Sequence, residues 1–185
     1  MWGTLLNAVT VLFGSALGLM IGGRLPARIQ ESVITGLGLV TAYVGVSNAG
    51  ETGNVIIPLI ALVTGVIAGE LLALDRRLES FAAWVHARFE GNHAVEAASE
   101  GAVAGRARFI EGFVTASLVF CVGPLTFIGS IQDGMGLSIG FEQLAIKSVL
   151  DLFAALAFAS SLGIGVMFSV LTVLGVQGGL ALLGS

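Results

Sequence analysis

Residues 141–159 read FEQLAIKSVLDLFAALAFA. Apart from its first few positions this is a bilayer-spanning helix, yet it holds Lys147 and Asp151. Charges in hydrocarbon are expensive, so they normally face a partner or a water-filled cavity and mark a functional path. One stretch therefore sets the fold class and supplies the first candidate site. The composition agrees: only 11% of the 185 residues are charged and the mean hydropathy is +0.98, against about 25% charged residues in a soluble domain.

Working outward at about 20 apolar residues per crossing, six spans fit, at 2–22, 32–49, 55–74, 109–131, 141–159 and 162–183. The expected fold is an all-α integral membrane protein of about six transmembrane helices, with a first three-helix half (1–74), a cytoplasmic helix and linker (75–108) and a second half (109–185). The first span has no basic start and is too long for the apolar core of a signal peptide, which argues against cleavage. Basic residues set the orientation. Arg24 and Arg28 follow the first span, and Arg76, Arg77, Arg88, Arg106 and Arg108 lie between spans three and four. The loops 50–54 and 132–140 carry no Lys or Arg. This places the chain in the cell (inner) membrane with its N-terminus outside and its Arg-rich loops cytoplasmic. Spans one and four then enter from opposite sides, as in a 3+3 inverted repeat, although no residue-level repeat joins the halves.

In the loop 75–108, DRRLESFAAWVHARFE puts Leu78, Phe81, Val85 and Phe89 on one helical face, flanked by Trp84. That helix is expected either on the cytoplasmic membrane surface or against a partner subunit. No Gly or Pro interrupts 70–90, so span three can run on into it. GNHAVEAASEGAVAG then reads as a mobile linker. His86 and His93 lack a third ligand, so they are expected as solvated surface residues; no metal, no cofactor and no catalytic residue is assigned. Cys121 sits in an apolar run as a small buried thiol and, being the lone cysteine, forms no internal disulfide.

Gly14, Gly18 and Gly22 form GxxxGxxxG, and Gly65 and Gly69 form GxxxG. Such stripes let another backbone approach closely, and packing within one subunit is favoured over a dimer seam. In span four, Pro124 removes an N–H and clashes with the preceding turn, and Gly123 adds freedom, so a break or kink is expected there. At a break the outer half-helix would aim its positive end inward, towards an anion, while the inner half would offer carbonyls to a cation. Asp151 lies about ten residues, roughly 15 Å, below the outer boundary. Asn7, Gly123, Pro124, Lys147, Ser148, Asp151 and Gln177 are the candidate ion- or solute-binding residues, with Gln132 and Asp133 at the outer mouth. The bland alternatives are a structural Lys147–Asp151 pair and a serine bonded to its own helix.

The runs GTLLNAVTVLFGSALG (3–18), FCVGPLTFIGSIQDG (120–134) and KSVLDLFAALAFASSLGIGVMFS (147–169) resemble the bacterial membrane-protein family catalogued as domain of unknown function 554. The resemblance covers nearly the whole chain. It implies a polytopic inner-membrane protein of a kind commonly labelled a transporter. It brings no established substrate or catalytic residues. Asn7, Gly123, Gln132, Asp133, Lys147, Ser148 and Asp151 stand at the motif's places. Members continue with a further hydrophobic segment, so relative to them the chain reads as short or truncated at Ser185.

The resulting expectation is a transporter or channel for a small ion or solute. Its partners are the lipid bilayer and further copies of itself, as a homodimer or larger oligomer; no basic cluster suggests nucleic acid. One alternative is a non-transporting scaffold that recruits a partner through its cytoplasmic helix. An intramembrane enzyme ranks last, because no Ser-His, Glu-His or paired-aspartate set occurs within the spans.

Overall fold

The structure, a computed structural model, describes residues 2–22, 26–89 and 100–185. Among these the chain is helical, with no strand: α1 (Trp2–Ile21), α2 (Ala27–Gly50), α3 (Ile56–Leu72), α4 (Leu74–Phe89), α5 (Glu100–Cys121), α6 (Pro124–Gly134), α7 (Ser138–Leu162), α8 (Gly165–Phe168) and α9 (Val170–Leu183). A chain this poor in charge can enter a bilayer only with its backbone polar groups satisfied, and helices do that internally. Three described helices are long and apolar enough to cross alone: Trp2–Ile21, Ser138–Leu162 and Gly165–Leu183. Two bent pairs raise the number to five: Ile56–Leu72 with Arg76–Arg88, and Val103–Cys121 with Leu125–Gly134. The remaining expected span falls in α2, whose apolar stretch Glu31–Ser47 is shorter.

The largest interface joins α1 to α7. The two run parallel: a methyl group built on Gly3 would overlap Leu144, one on Gly14 the Leu152 carbonyl, and one on Gly18 the Leu156 carbonyl. Side-chain-free positions let the backbones meet where a larger residue would hold them apart. Gly22, Gly65 and Gly69 were expected to act alike, but an added methyl there would meet nothing within 4 Å. In α3 no residue is buried, so its apolar surface, including the Gly65–Gly69 stripe, is offered outward.

Span four breaks. α5 stops at Cys121, Gly123 is extended (φ −165°, ψ 150°), and Pro124 opens α6 at its first turn, where the missing N–H costs nothing. The halves bend by 64°. Both still follow α7 antiparallel: Gly112 meets Leu162, Phe120 faces Phe158, Gly129 meets Leu144, and Gly140 abuts Gln132. α6 thus continues the direction of α5. The break does not require glycine, since the Gly123 backbone is one any residue adopts and an added methyl would meet only Thr126 Oγ1, at 3.8 Å. Thr126 Oγ1 donates to the Phe120 carbonyl at 3.2 Å, satisfying one acceptor freed by the interruption.

The segment 75–108 differs from expectation in four ways. α3 does not run straight into α4, because Ala73 adopts a left-handed conformation (φ 44°, ψ 51°) and the axis turns by 49°. α4 lies on α5 of its own chain, burying Ala82 and Val85 against Phe109 and Phe113, so its apolar face is used internally. Within this cluster His86, expected in solvent, is buried with its ring 4.7 Å from that of Phe109. α5 begins at Glu100, inside the expected linker, whose residues 91–99 lie, with His93, outside the described residues.

Candidate functional site

The inward face of α7 carries Leu144, Lys147, Ser148, Asp151, Ala154, Ala155, Phe158 and Ala159, at the three- and four-residue spacing of one helical stripe. Ile146, Val149 and Phe153 are exposed on the other side. Helical periodicity therefore turns Lys147 (6% exposed) and Asp151 (5%) into the bundle. They form an ion pair through Lys147 Nζ and Asp151 Oδ2. The same Oδ2 accepts from Asn7 Nδ2 at 3.0 Å. Asparagine is short, and its reach to Asp151 depends on the close α1–α7 seam built by Gly3, Gly14 and Gly18.

A cavity of about 80 Å³ adjoins this cluster. Its walls include Thr41 of α2, Val119, Val122 and Gly123 at the broken span, and Lys147 and Asp151 of α7. The break and the buried charges, far apart in sequence, face the same space. Leu125, in the first turn of α6, lines it too, so the positive end of that helix lies beside an ionisable carboxyl.

Gln177 is buried on α9 without a contact to Asn7, Lys147 or Asp151 among the hydrogen bonds or cavity walls. α9 runs antiparallel to α1: Leu19 and Val170 flank the same apolar core, while Ala181 and Gly184 abut Gly134 and Ile131 at the far end of α6. Val11 and Val173 belong to that core, and Asn7 and Gln177, each one turn away on its helix, are both fully buried. Neither polar atom of the Gln177 side chain has a partner, and Asn7 Oδ1 has none. Thr4 Oγ1, Ser130 Oγ, Gln132 Oε1 and Gln143 Oε1 are likewise buried and unpartnered. Of the atoms so placed among the described residues, only Ser15 Oγ lies outside this half of the bundle. Buried polar atoms are normally hydrogen-bonded, so such a concentration marks a strained or ligand-receiving region.

Other candidate residues fall elsewhere. Ser148 donates to the Leu144 carbonyl at 2.6 Å, its own helix, and points no hydrogen at the cavity. Gln132 and Asp133 do not form an open mouth: Asp133 is buried and accepts from the Gly3 amide at 3.1 Å, holding the first turn of α1. A carboxylate at a helix N-terminus is favoured by the unpaired amides there. Pro124 starts α6 and shapes the break. Sequence reasoning passed over Thr4, Thr126 and Ser130. Thr126, Ser130 and Asp133 repeat at four and three residues, a polar stripe on an otherwise apolar helix, and that spacing was the available signal.

The profile of the family described as protein of unknown function (DUF554) matches residues 2–185. The chain belongs to the DUF554 family. It is 30% identical over 165 residues to the uncharacterized protein YqgA of Escherichia coli (strain K12), covering 89% of this chain and 66% of the relative. It is 23% identical over 186 residues to the uncharacterized membrane protein YdfK of Bacillus subtilis (strain 168), covering 98% of this chain and 72% of that protein. The chain thus spans about two thirds of the relatives' lengths. No solved structure matches it. As a DUF554 member with apolar helices and a relative named as a membrane protein, it is a membrane protein.

Proposed function

We propose that this DUF554 protein moves a small ion or solute across the membrane, using the Asn7–Lys147–Asp151 cluster as its binding site. The observation that carries this reading is a buried charge cluster sharing a cavity with the break in a membrane helix. Charges at such depth are retained where they do work, and an interrupted helix is tolerated where it lines protein or water rather than lipid. In this reading α5 with α6 forms one broken span, six spans make a 3+3 inverted repeat, and the Arg-rich segments face the cytoplasm of the inner membrane.

The rest of the path follows the same axis. Beyond the cluster comes an apolar layer of Val11, Phe120, Ala155, Phe158 and Val173, with the Phe120 and Phe158 rings 6.4 Å apart. Past that layer, at the end bearing Arg108, a second cavity of about 360 Å³ is lined by Leu19, Phe109, Ser160 and Gly163. Arg108 Nε donates across it to the Ser161 carbonyl at 3.1 Å. A polar site, a dry barrier and a vestibule form the sequence expected of a transporter closed on one side. The outward apolar surfaces of α2 and α3 suit lipid and contacts between copies, and we propose a homodimer or larger oligomer. The scaffold alternative is weakened by α4, whose apolar face packs on α5.

Flux into proteoliposomes tests the reading, comparing the wild type with Asp151→Asn and Lys147→Met. Loss of flux in both folded variants supports it; unchanged flux in both removes the cluster from the mechanism.

A further inference from the structure

We propose that the cavity of about 360 Å³ at the Arg108 end is a site for an anionic phospholipid, with the Arg108 guanidinium holding its phosphodiester. The site is distinct from the Asn7–Lys147–Asp151 cluster, and the inference does not depend on the transport reading. In that reading the lipid would sit at the closed end of the path.

The guanidinium is fixed in direction and only partly used. Its Nε and Nη2 both donate to the Ser161 carbonyl, in the last turn of α7. Two bonds to one acceptor set the plane of the group. The remaining N–H donors, on Nη1 and the far side of Nη2, form a planar fork. Among the described residues no carboxylate pairs with Arg108; Glu111, one turn on, is exposed and does not reach it. An arginine always carries its charge. Held at one edge and open at the other, it is set for bidentate contact with a phosphate.

The walls decide which phosphate. Leu19, Phe109, Leu162 and Ile164 line the cavity beside Arg108. A free phosphate would lose hydration against these side chains and gain a single cation in return. A phospholipid brings apolar chains of its own, and Ile164, 52% exposed, offers apolar surface on which they can lie. The depth agrees. Leu19 and Gly22 stand at the end of one candidate span, Leu162 at the end of another, and Ile164 just before a third. Ends of apolar spans lie at the headgroup level of a bilayer, and basic pockets between helices at that level receive anionic headgroups. The volume falls within the range of about 300–1,000 Å³ usual for small-molecule sites.

The full chain, purified and stripped of lipid in a non-ionic detergent, is given phosphatidylglycerol, phosphatidylcholine or potassium phosphate at matched concentrations. Native mass spectrometry counts bound lipid, and the melting temperature is followed on the same samples. Phosphatidylglycerol is expected to stay bound at about one molecule per chain and to raise the melting temperature by about 5 °C, with little response to the other two. Arg108→Gln is expected to weaken phosphatidylglycerol binding at least about tenfold. Arg106→Gln, at an exposed neighbour outside the cavity walls, binds as the wild type does. Gly105→Leu guards against misfolding. An added methyl there meets nothing within 4 Å, so the variant fills the cavity and leaves the lipid-free melting temperature unchanged. It too is expected to bind phosphatidylglycerol at least about tenfold more weakly. Binding unchanged in either Arg108→Gln or Gly105→Leu overturns the site. So does an equal response to phosphatidylcholine, which marks unspecific apolar contact, or to potassium phosphate, which marks a free-anion pocket.

Discussion

The Lys147–Asp151 pair separates a structural role from a functional one through a double-mutant cycle. Both groups are buried, they bond to one another, and Asn7 supplies one further donor, to Asp151. Removing one partner of a buried pair costs about 3–5 kcal/mol, because the other charge is left uncompensated. For Lys147→Met the surviving Asn7 bond, a charge-assisted contact worth about 1.5–3 kcal/mol, keeps the loss near the lower end, at about 3 kcal/mol. Asp151→Leu strands the ammonium and the Asn7 amide, and should cost about 4 kcal/mol. The double variant removes both charges and leaves chiefly the Asn7 donor unsatisfied, for about 1–3 kcal/mol. The single losses thus exceed the double by about 4–6 kcal/mol. Equilibrium unfolding in mixed detergent measures stability, and proteoliposome flux is read on the same preparations. The expected outcome is a double variant that loses far less than the sum of the two single losses but is inactive. Additive losses would show that the two side chains do not share one buried site. A stable double variant with full flux would show that the pair only holds helices together.

Gly18→Ile should push α1 from α7 by overlapping the Leu156 carbonyl, costing about 3 kcal/mol or more in unfolding, while Gly65→Ile on the outward face of α3 should leave the stability of the single chain unchanged. Gly123→Leu meets ordinary backbone and open space, so it should preserve the melting temperature yet fill the 80 Å³ cavity and cut flux at least tenfold; a flux equal to wild type would show that the cavity is not on the path. Ala73→Gly should stabilise the fold by about 1 kcal/mol, because only the side chain strains the left-handed turn between α3 and α4; thermal unfolding of the purified protein checks it.

Much of this molecule was legible in its residues because hydrocarbon is an unforgiving solvent. Long apolar runs, the scarcity of charge and the proline in span four all report local costs, and local costs can be read from spacing alone. Membrane class, family and the interruption at Gly123–Pro124 followed from these. Lys147 and Asp151 announced themselves because a charge in such a helix must find a partner or water. Which glycines pack could not be read in the same way: Gly14 and Gly69 sit in equivalent motifs, but only the first has a helix against it. The fate of α4 was equally hidden, since an amphipathic face states that it will be covered and not by what. Asp133 looked like a mouth residue and proves to hold the amide end of α1, a contact spanning most of the chain. The bond from Asn7 to Asp151, and the meeting of Asp151 with the broken span across one cavity, were likewise matters of register between helices far apart in sequence. Register is fixed by mutual packing, to which every surface contributes, so no segment carries it alone.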